Sequence, residues 1–332
     1  MRLATYNVQW FDHLFDDRGA LRDDAGRGGR EGVSAREQVA ALGTVFAALD
    51  ADAVMVIEAP DARRGERAIE SFARRFGLRA REALMGPPSG TQQEITLLFD
   101  PRRLQARADP SAAGAPAFDG AFRFDLDGDG RAEPVRWSKP PLEVALTTPR
   151  GAELRLIGVH AKSKNPHGAR DPAHAERVSL ENRRKQIAQC LWLRARVEAE
   201  IALGRSLVVL GDFNDGPGQD EYEAVFGRSG VEIVLGEREP RLLEPHAARA
   251  IRGPTAAAPV SARFRIPEPG GGSRWLSALL DYAMASPDLA RNNPRWRIWH
   301  PFDDEACWRD PALRDALLHA SDHFPVTLDL DL

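Results

Sequence analysis

An aspartate and an asparagine, Asp212 and Asn214, follow a short apolar run that is typical of a buried strand. The run, residues 207–210, contains two β-branched valines and leads into Gly211, which allows a tight turn at the strand's carboxyl end. Side chains two residues apart face the same way in extended backbone, so the carboxylate and the amide would leave the strand together. Such a pair suits a site that binds a metal or positions a water. The alternative is a plain polar turn, because Asp, Gly and Pro follow.

Polar side chains occur at the ends of other strand-like runs as well. Four further apolar runs end in, or carry, one such residue: Asn7, Glu58, His160 and Asp281. Late in the chain the order is reversed, because the pair Asp322 and His323 precedes the apolar run 326–330. Several carboxylates and a histidine in one cleft suit the attack of water on a phosphate ester. Each residue alone also has a structural explanation, such as a hydrogen-bonded core histidine or a helix-capping carboxylate.

Taken in order from Asn7 to His323, these motifs resemble the endonuclease/exonuclease/phosphatase superfamily, which includes DNase I-like nucleases and inositol-polyphosphate phosphatases. The Gly-Asp-Phe-Asn and Ser-Asp-His segments together make the resemblance specific. It implies an α/β fold, a four-layer α/β sandwich with two packed, mostly antiparallel β-sheets flanked by helices. It also implies that His323 is the general base and that Asp281 orients its imidazole.

The resemblance assigns further residues to the reacting phosphate. Asp212 would orient the attacking water, or hold the metal as in some members, and Asn214 would donate a hydrogen bond to a phosphoryl oxygen. His160 would donate to the phosphoryl oxygens where negative charge grows, or protonate the leaving group.

Lysine is scarce in this chain, and three of its four lysines are candidates for binding substrate phosphate. Lys139 precedes Pro-Pro-Leu, a segment in which the superfamily often has a phosphate-facing cation. Lys162 and Lys164 lie in the segment 160–185, which has seven basic against three acidic residues. A compact, mobile ammonium group can follow a phosphate, and a local positive excess attracts nucleic acid.

A hard divalent cation needs one or two carboxylates and keeps positions open for substrate oxygens. Glu58 is the first choice for this ligand, and the family pattern places Asn7 and Asp322 close to the same ion. Many nuclease members have an acidic residue two positions after the asparagine, where this chain has Gln9. We therefore expect one Mg²⁺ or Mn²⁺ ion rather than two.

An acidic segment farther along resembles the start of a calcium loop. Asp125, Asp127 and Asp129 are spaced as in an EF-hand, but Arg136 occupies the twelfth position, where that loop has a bidentate glutamate. Glu133 could supply a late carboxylate instead. The segment is either a structural Ca²⁺ site or a solvated acidic turn.

Composition limits the class of protein. The chain has 332 residues, 43% of them hydrophobic, which is ample for a large core. The net charge of −4 argues against a surface covered in positive charge, but permits a local basic patch. One of the two cysteines, Cys190, lies on the apolar side of a predicted helix and is expected to be a small buried side chain. Because there is no signal peptide and no apolar run of ~18 residues, we expect a cytoplasmic protein without a membrane span.

The secondary structure needed to position these residues can be predicted from periodicity. Strands are predicted at residues 3–8, 53–57, 95–99, 142–147, 154–159, 207–210, 279–285 and 326–330. Helices are predicted after the capping box formed by Ser34 and Glu37, at 63–76 and at 175–203. We assign the last two strands to the second sheet. The chain is expected to form a single domain over residues 1–332, with loop insertions at about 100–136 and 236–275, and loop structure throughout 228–275.

Three functions fit these observations. The preferred one is a metal-dependent phosphodiesterase of the nuclease type, with a phosphate-ester substrate that includes nucleic acid. The second is a phosphatase or phosphodiesterase for a small nucleotide, inositol phosphate or lipid head group, which the acidic balance favours. The third, an inactive binding module, is disfavoured because the base, its partner, the metal ligand and the phosphate donors are all present. No protein partner is indicated. We find no array of aromatic and basic residues typical of single-strand binding. For Trp275, Trp296, Trp299 and Trp308 we expect core packing, the alternative being a wall for a base or an acyl chain.

Overall fold

The computed structural model describes residues 1–166, 168–217, 226–253, 258–267 and 272–332. Within these residues, two large sheets pack face to face. The first has the strand order β14 (Arg295–Ile298), β15 (Val326–Asp329), β1 (Arg2–Asn7), β2 (Ala53–Ala59), β4 (Glu94–Phe99) and β3 (Glu82–Met85). The second has the order β13 (Asp281–Ala285), β10 (Leu207–Asp212), β9 (Glu153–His160), β8 (Leu142–Thr147) and β5 (Gln105–Ala108).

Both sheets are mostly antiparallel, as predicted. Among the described strands, the first sheet has one parallel pair, β1 with β2, and the second has one, β9 with β10. The other pairings within the two sheets are antiparallel. Since parallel strands end at the same edge, each sheet presents two strand ends side by side, and these ends carry the candidate site.

Helices cover the outer faces of the two sheets. They are α1 (Ala35–Leu49), α2 (Gly65–Arg75), α3 (Pro172–Ala202), α4 (Gly230–Leu235), α5 (Pro245–Ile251), α6 (Glu305–Arg309) and α7 (Pro311–Ala320). One buried cluster lies between the sheets and includes Met55, Leu97 and Leu156. The other two lie beneath the helices, one joining the first sheet to α1, α2 and α7, the other joining the second sheet to α3, α4 and α5. The predicted four-layer sandwich is therefore confirmed.

Local sequence signals account for the major helices. The capping box at α1 forms as predicted, with the Ser34 side chain accepting from the Glu37 amide, a contact that stabilises a helix by about 1 kcal/mol. The long helix α3 begins at Pro172, three residues before the predicted start, because the Asp171 side chain accepts from the His174 amide and proline fits the first helical position. Its buried face includes Cys190, as expected for a small apolar side chain.

Close backbone packing explains a glycine at the key strand end. A Cβ atom at Gly211 would lie 1.9 Å from the carbonyl oxygen of Val159 on the neighbouring strand. Only a residue without a side chain lets β9 and β10 approach there. Gly211 therefore holds Asp212 at the level of the end of β9.

Two predictions about the sheets and loops are wrong. The terminal strand β15 lies in the first sheet, between β1 and β14, and not in the second. An apolar run reveals that a strand is buried but not which strand it pairs with. The segment 228–275 is also not loop throughout, because it contains α4, α5 and a hairpin of β11 (Ala262–Pro267) and β12 (Ser273–Ala278). The strand β12 is largely exposed on both faces, so it lacks the alternation that marks a half-buried strand.

The insertion at 100–136 is likewise more ordered than expected. It includes β5, the edge strand of the second sheet, and a ribbon of β6 (Phe122–Phe124) and β7 (Glu133–Val135). These strands are three or four residues long, and all of their residues except the buried Val135 are exposed or half-buried, which explains the weak sequence signal. Elsewhere in the described chain, both cysteines are free and buried, and no helix combines the length and apolarity needed to cross a bilayer.

Candidate active site

Three candidate residues lie side by side at one end of the second sheet. Asp212 ends β10, and the register pairs it with His160 at the end of β9 and with Asp281 at the start of β13. All three side chains are buried. These three polar residues, which the sequence places at the ends of separate strand-like runs, therefore lie together in the structure.

The first sheet contributes Asn7 and Glu58 to the same place. Asn7 ends β1, and Glu58 lies at a register shift between Ile57 and Ala59 in β2, with a positive φ of 63°. Such a bulge redirects one side chain out of the regular alternation. The Asn7 side-chain amide donates to Asp212 Oδ2 at 3.0 Å and lies 3.4 Å from Glu58 Oε1. Asn7 thus connects the two sheets at the candidate site.

His323 and Asp281 form a second link between the sheets. The distance from His323 Nδ1 to Asp281 Oδ2 is 2.7 Å, while His323 Nε2 lies 4.0 Å from Asp212 Oδ2. Burial lowers the pKa of His323, but the negative charges of Asp281 and Asp212 outweigh it and hold the pKa well above its ordinary value. The ring nitrogen Nε2 is the one left to exchange a proton with a nucleophile.

Asp212 is enclosed by hydrogen-bond donors. Its carboxylate accepts from the Asn214 backbone amide at 2.7 Å and from the Asn214 side chain at 3.3 Å. Burial raises the pKa of Asp212 to about 7, against the opposing effect of the His323 cation. The Asn214 side chain also donates to the carbonyl of Ala161 at 3.1 Å. Asn214 therefore orients Asp212 in this structure.

His160 is paired with Lys139. The Lys139 ammonium group lies 3.0 Å from His160 Nε2, and it also donates to Gln93 Oε1 at 3.3 Å. Burial and the nearby Lys139 charge hold the pKa of His160 well below its ordinary value. Burial also lowers the pKa of Lys139, although Glu58 and Asp212 oppose this shift. His160 is accordingly a neutral side chain next to a partly buried cation.

Among the described residues, the Asp322 side chain makes no hydrogen bond with the Glu58 carboxylate. Its nearest charged partner among the described residues is Arg30, with a distance of 3.9 Å between Arg30 Nη1 and Asp322 Oδ2. Gln9, which replaces the expected acidic residue, accepts from the Asp322 backbone amide at 3.2 Å and from Arg30 at 3.3 Å. Gln9 therefore connects the end of β1 to the Ser-Asp-His segment.

The two lysines of the basic segment have different surroundings. Lys164 donates to the fully buried Asp215 at 2.9 Å, and Arg183 donates to the same carboxylate at 2.5 Å. Burial, followed by the charge of Lys185, lowers the pKa of the half-buried Lys162. Two of the basic side chains in the segment 160–185, those of Lys164 and Arg183, therefore neutralise the buried Asp215, the residue after Asn214. The predicted local excess of positive charge is reduced accordingly.

The Asp-rich segment forms a compact turn. Carboxylate oxygens of Asp125, Asp127 and Asp129 lie within 4.8 Å of one another. Backbone amides donate to all three, including those of Gly128 and Arg131. Glu133 lies in β7 and is not part of this cluster.

Ser261 is a site residue that sequence reasoning missed. Its hydroxyl donates to Asp281 Oδ2 at 2.8 Å and accepts from the backbone amides of Leu280 and Asp281, both at 2.9 Å. The backbone carbonyl of Ser261 accepts from Phe324 next to His323. A single serine in a segment predicted as loop gives no signal of these contacts.

The prediction that four tryptophans pack in the core is correct for only some of them. Trp299 is buried and Trp296 is half-buried, whereas Trp275 and Trp308 are exposed. Arg263 lies over the rings of Trp275, at 5.0 Å, and Phe302, at 5.7 Å, so aromatic and basic side chains do adjoin on the surface. The sequence did not reveal this contact because its members come from distant segments.

Comparison with known proteins agrees with the fold. The sequence model of the Endonuclease/Exonuclease/phosphatase family matches residues 4–323. No curated protein sequence matches the chain at a significant level.

Solved structures with this fold include TDP2 from Caenorhabditis elegans, at 12% identity and a TM-score of 0.51, covering 98% of this chain and 74% of that one. The human Nocturnin catalytic domain with bound sulfate has 13% identity and a TM-score of 0.51, covering 99% and 93%. TDP2 from D. rerio complexed with a single-strand DNA product has 10% identity and a TM-score of 0.50, covering 99% and 97%. At such identities the likeness concerns the fold.

Proposed function

Since the chain belongs to the endonuclease/exonuclease/phosphatase family and is therefore a hydrolase of phosphate esters, we propose that it is a metal-dependent phosphodiesterase that cleaves nucleic acid. The observation that carries this proposal is the unbroken series of contacts from Glu58 through Asn7, Asp212 and His323 to Asp281. It brings a carboxylate without a strong cationic partner, a base and an orienting acid together where the ends of the two sheets meet.

His323 is the general base in this proposal. Asp281 holds the imidazole through Nδ1, so Nε2 takes the proton from the attacking water. Because the pKa of His323 is raised, the base form of the imidazole increases as the pH rises through that raised pKa. Asp212, 4.0 Å from Nε2, would accept a hydrogen bond from the same water and fix its direction of attack.

Lys139 and His160 are assigned to the phosphate. Lys139 interacts electrostatically with the carboxylates of Glu58 and Asp212, both of which oppose the lowering of its pKa by burial. An ammonium group there is placed to stabilise the charge that grows on the phosphoryl oxygens. A neutral His160 adds no charge, but to donate a hydrogen bond to the same group its Nε2 would have to carry the proton and give up the contact in which it accepts from Lys139. We also assign Lys162 to this role. Asn214 and Lys164 are assigned to it as well, but each would first exchange a contact that it makes here, Asn214 with Asp212 or Ala161 and Lys164 with Asp215.

The residues present fit a hard divalent cation. The carboxylate of Glu58 is only partly exposed, and its close hydrogen bonds come from uncharged groups, the Trp10 backbone amide at 2.9 Å and the Asn7 side chain. Its charge is thus left for an ion. The side-chain oxygen of Asn7, next to Glu58, would be a second ligand, and the Asp322 carboxylate, which contacts Arg30 and not Glu58 in this structure, would have to turn to the ion to be a third. When bound, Mg²⁺ or Mn²⁺ would polarise a phosphoryl oxygen and lower the pKa of a bound water.

Asp212, Asp281 and His323 form a second cluster whose geometry could hold a metal, but we assign it another role. Donor atoms of Asp212, Asp281 and His323 lie within 4.8 Å of one another. However, Asp281 and His323 are hydrogen-bonded to each other, and Ser261 donates to the same Asp281 oxygen. We therefore assign this cluster to proton transfer.

The preference for nucleic acid has two supports. The TDP2 structure with a single-strand DNA product has the same fold, which can therefore accommodate a polynucleotide strand. Exposed Arg177 and half-buried Arg184 and Lys162 remain in the basic segment beside the site. The pairing of Lys164 and Arg183 with Asp215 reduces the local positive charge, so a small phosphate ester is the second candidate.

The activity is tested with bis-p-nitrophenyl phosphate in the presence of Mg²⁺ or Mn²⁺. We expect His323→Ala to reduce the rate by about 10²–10⁴-fold, the usual contribution of a general base. His319→Ala, which removes an exposed histidine on α7, serves as the matched control. Equal rates for His323→Ala and wild type would contradict the proposal. Plasmid DNA, single-stranded DNA, RNA and phosphomonoesters assayed side by side then distinguish the two substrate classes.

A further inference from the structure

A cavity of about 620 Å³ adjoins the candidate active site. It lies within the loop that follows β1, and its lining includes Trp10, His13 and three arginines, Arg22, Arg27 and Arg64. Trp10 belongs to both places, because its backbone amide donates to Glu58 Oε2 at 2.9 Å. A molecule bound at Glu58 therefore has this cavity as its neighbour.

The walls of the cavity are held by buried hydrogen bonds. The fully buried Gln38 accepts from the amides of Gly29 at 2.7 Å and Arg30 at 3.0 Å, and its own amide donates to the carbonyl of Gln9 at 3.3 Å. A Cβ atom at Gly29 would lie 2.3 Å from that carbonyl. The loop is thus fastened to the end of β1 in one arrangement, so the cavity is formed before any ligand arrives.

Trp10 has an unusual backbone conformation. Gln9 and Trp10 both have positive φ values, 47° and 57°, which cost free energy in residues other than glycine. This conformation directs the Trp10 amide to Glu58, and Trp10 as a residue is 38% exposed. His13 stacks on it, with ring centroids 5.1 Å apart and an interplanar angle of 12°. The pair forms an aromatic surface at the edge of the cavity.

The arginines of the cavity differ in what they bind. Arg64 forms an ion pair with Asp12 at 2.9 Å, and Arg22 forms one with Asp24 at 2.8 Å. The exposed Arg27 side chain has no hydrogen-bond or ion-pair partner among the residues that the structure describes. An unpaired guanidinium and an exposed aromatic residue in the walls of one cavity match a ligand with a phosphate and a flat ring.

We propose that this cavity is a subsite for the nucleotide adjacent to the scissile phosphodiester, in which Trp10 stacks on the base and Arg27 binds its phosphate. This inference rests on the proposed function and specifies its substrate: a strand with a base and a phosphate next to the cleaved bond. A small phosphate ester without a neighbouring nucleotide would leave the subsite empty.

The test compares a short single-stranded DNA oligonucleotide with bis-p-nitrophenyl phosphate, which has no neighbouring nucleotide. We expect the ratio of kcat/KM between the two substrates to fall about tenfold in Arg27→Ala and in Trp10→Ala, the loss typical of one stacking or phosphate contact. Arg18→Ala changes an exposed arginine of the same loop outside the cavity, and Trp308→Ala removes an exposed tryptophan elsewhere. Both controls should keep the wild-type ratio.

The outcomes separate the subsite from the proposed function. If wild type hydrolyses both substrates but Arg27→Ala and Trp10→Ala keep the wild-type ratio, the subsite is wrong and the phosphodiesterase stands. If wild type cleaves no phosphodiester, the proposed function is overturned and the subsite with it. Arg27→Lys, which keeps a positive charge, should recover part of the lost ratio. Thermal unfolding of each variant excludes misfolding as the cause.

Discussion

His323 Nδ1 lies 2.7 Å from Asp281 Oδ2, although the two residues are 42 positions apart. Asp281 begins β13 of the second sheet, and His323 lies three residues before the start of β15, a strand of the first sheet. The other oxygen of Asp281, Oδ1, is buried without a hydrogen-bond partner among the described residues. The negative charge of Asp281 is therefore compensated mainly by His323, and the pKa of the imidazole depends on it.

Asp281→Asn keeps the shape of the side chain but removes this charge. Since Asp281 raises the pKa of His323 and burial lowers it, we expect the pKa of His323 to fall in the variant. The rate of wild type should rise with pH through the raised pKa of His323, whereas the acidic limb of the variant should shift to lower pH. The maximal rate should fall by about 10²–10⁴-fold, because the imidazole is a weaker and less well oriented base. A kcat–pH profile with an unmoved acidic limb would contradict this role.

Ser261→Ala removes the donor to Asp281 and leaves the backbone amides of Leu280 and Asp281 without their acceptor. Unpaired buried donors typically cost about 1–3 kcal/mol, which should appear as a lower urea midpoint. We expect a smaller loss of kcat than in Asp281→Asn, because the carboxylate itself remains. Ser261→Thr keeps the hydroxyl and should recover much of both losses. A stable Ser261→Ala protein with wild-type kcat would show that Ser261 does not position Asp281.

The residues that were predictable from sequence are those whose signal is local. The run before Gly211 and Asp212 marks a strand and its end within six residues, and the capping box at Ser34 marks a helix start. Glu58 could be identified by the same strand-end rule, although the bulge that redirects it could not. The parallel pairing of β9 with β10 then brings distant strand ends together.

The residues that were missed depend on contacts between distant segments. Ser261 is one polar residue in a stretch without periodicity, and its role exists only because the hairpin of β11 and β12 passes beside His323. The neutralisation of Lys164 by Asp215 is equally hidden, since a sum of charges along the chain does not show which of them pair. The position of β15 in the first sheet was missed for the same reason.

Arg79→Ala should change how stability depends on pH. Asp52 is buried and accepts hydrogen bonds from Arg79 and from the Arg2 backbone amide. Burial raises the pKa of Asp52, but the hydrogen bonds and the charge of Arg79 outweigh it, so the pKa is lowered in the folded state. A lowered pKa stabilises the fold above the unfolded value of about 3.9, and this contribution is lost as the pH falls through the folded pKa.

We therefore expect Arg79→Ala to be less stable than wild type at pH ~7 by about 1–3 kcal/mol, the cost of a buried group that loses a partner. The difference should shrink as the pH falls below about 4 and on through the lowered pKa of Asp52 in wild type, below which Asp52 is protonated in both proteins. Urea unfolding across this range measures the effect, with the exposed Arg67→Ala as the control. A difference that is independent of pH would mean that Arg79 stabilises the fold through packing.

Glu58→Gln tests whether Glu58 is a ligand of the metal ion. Glutamine has nearly the same shape and can still accept from the Trp10 amide, so the bulge in β2 should remain. The charge available to an ion is lost, because the close hydrogen bonds to Glu58 come from uncharged groups. We expect the half-saturating concentration of Mg²⁺ or Mn²⁺ to rise at least about tenfold.

A binding experiment compares Glu58 with Asp322 as ligands of the ion. Calorimetric titration with Mn²⁺ measures the affinity for the ion directly and does not depend on turnover. Glu58→Gln should weaken binding strongly, whereas Asp322→Asn should weaken it less, because the Asp322 carboxylate already lies 3.9 Å from Arg30. Glu82→Gln, on the exposed end of β3, should bind as wild type does. If Glu58→Gln binds Mn²⁺ as tightly as wild type, the ion is held elsewhere, and the cluster of Asp212, Asp281 and His323 becomes the first alternative to test.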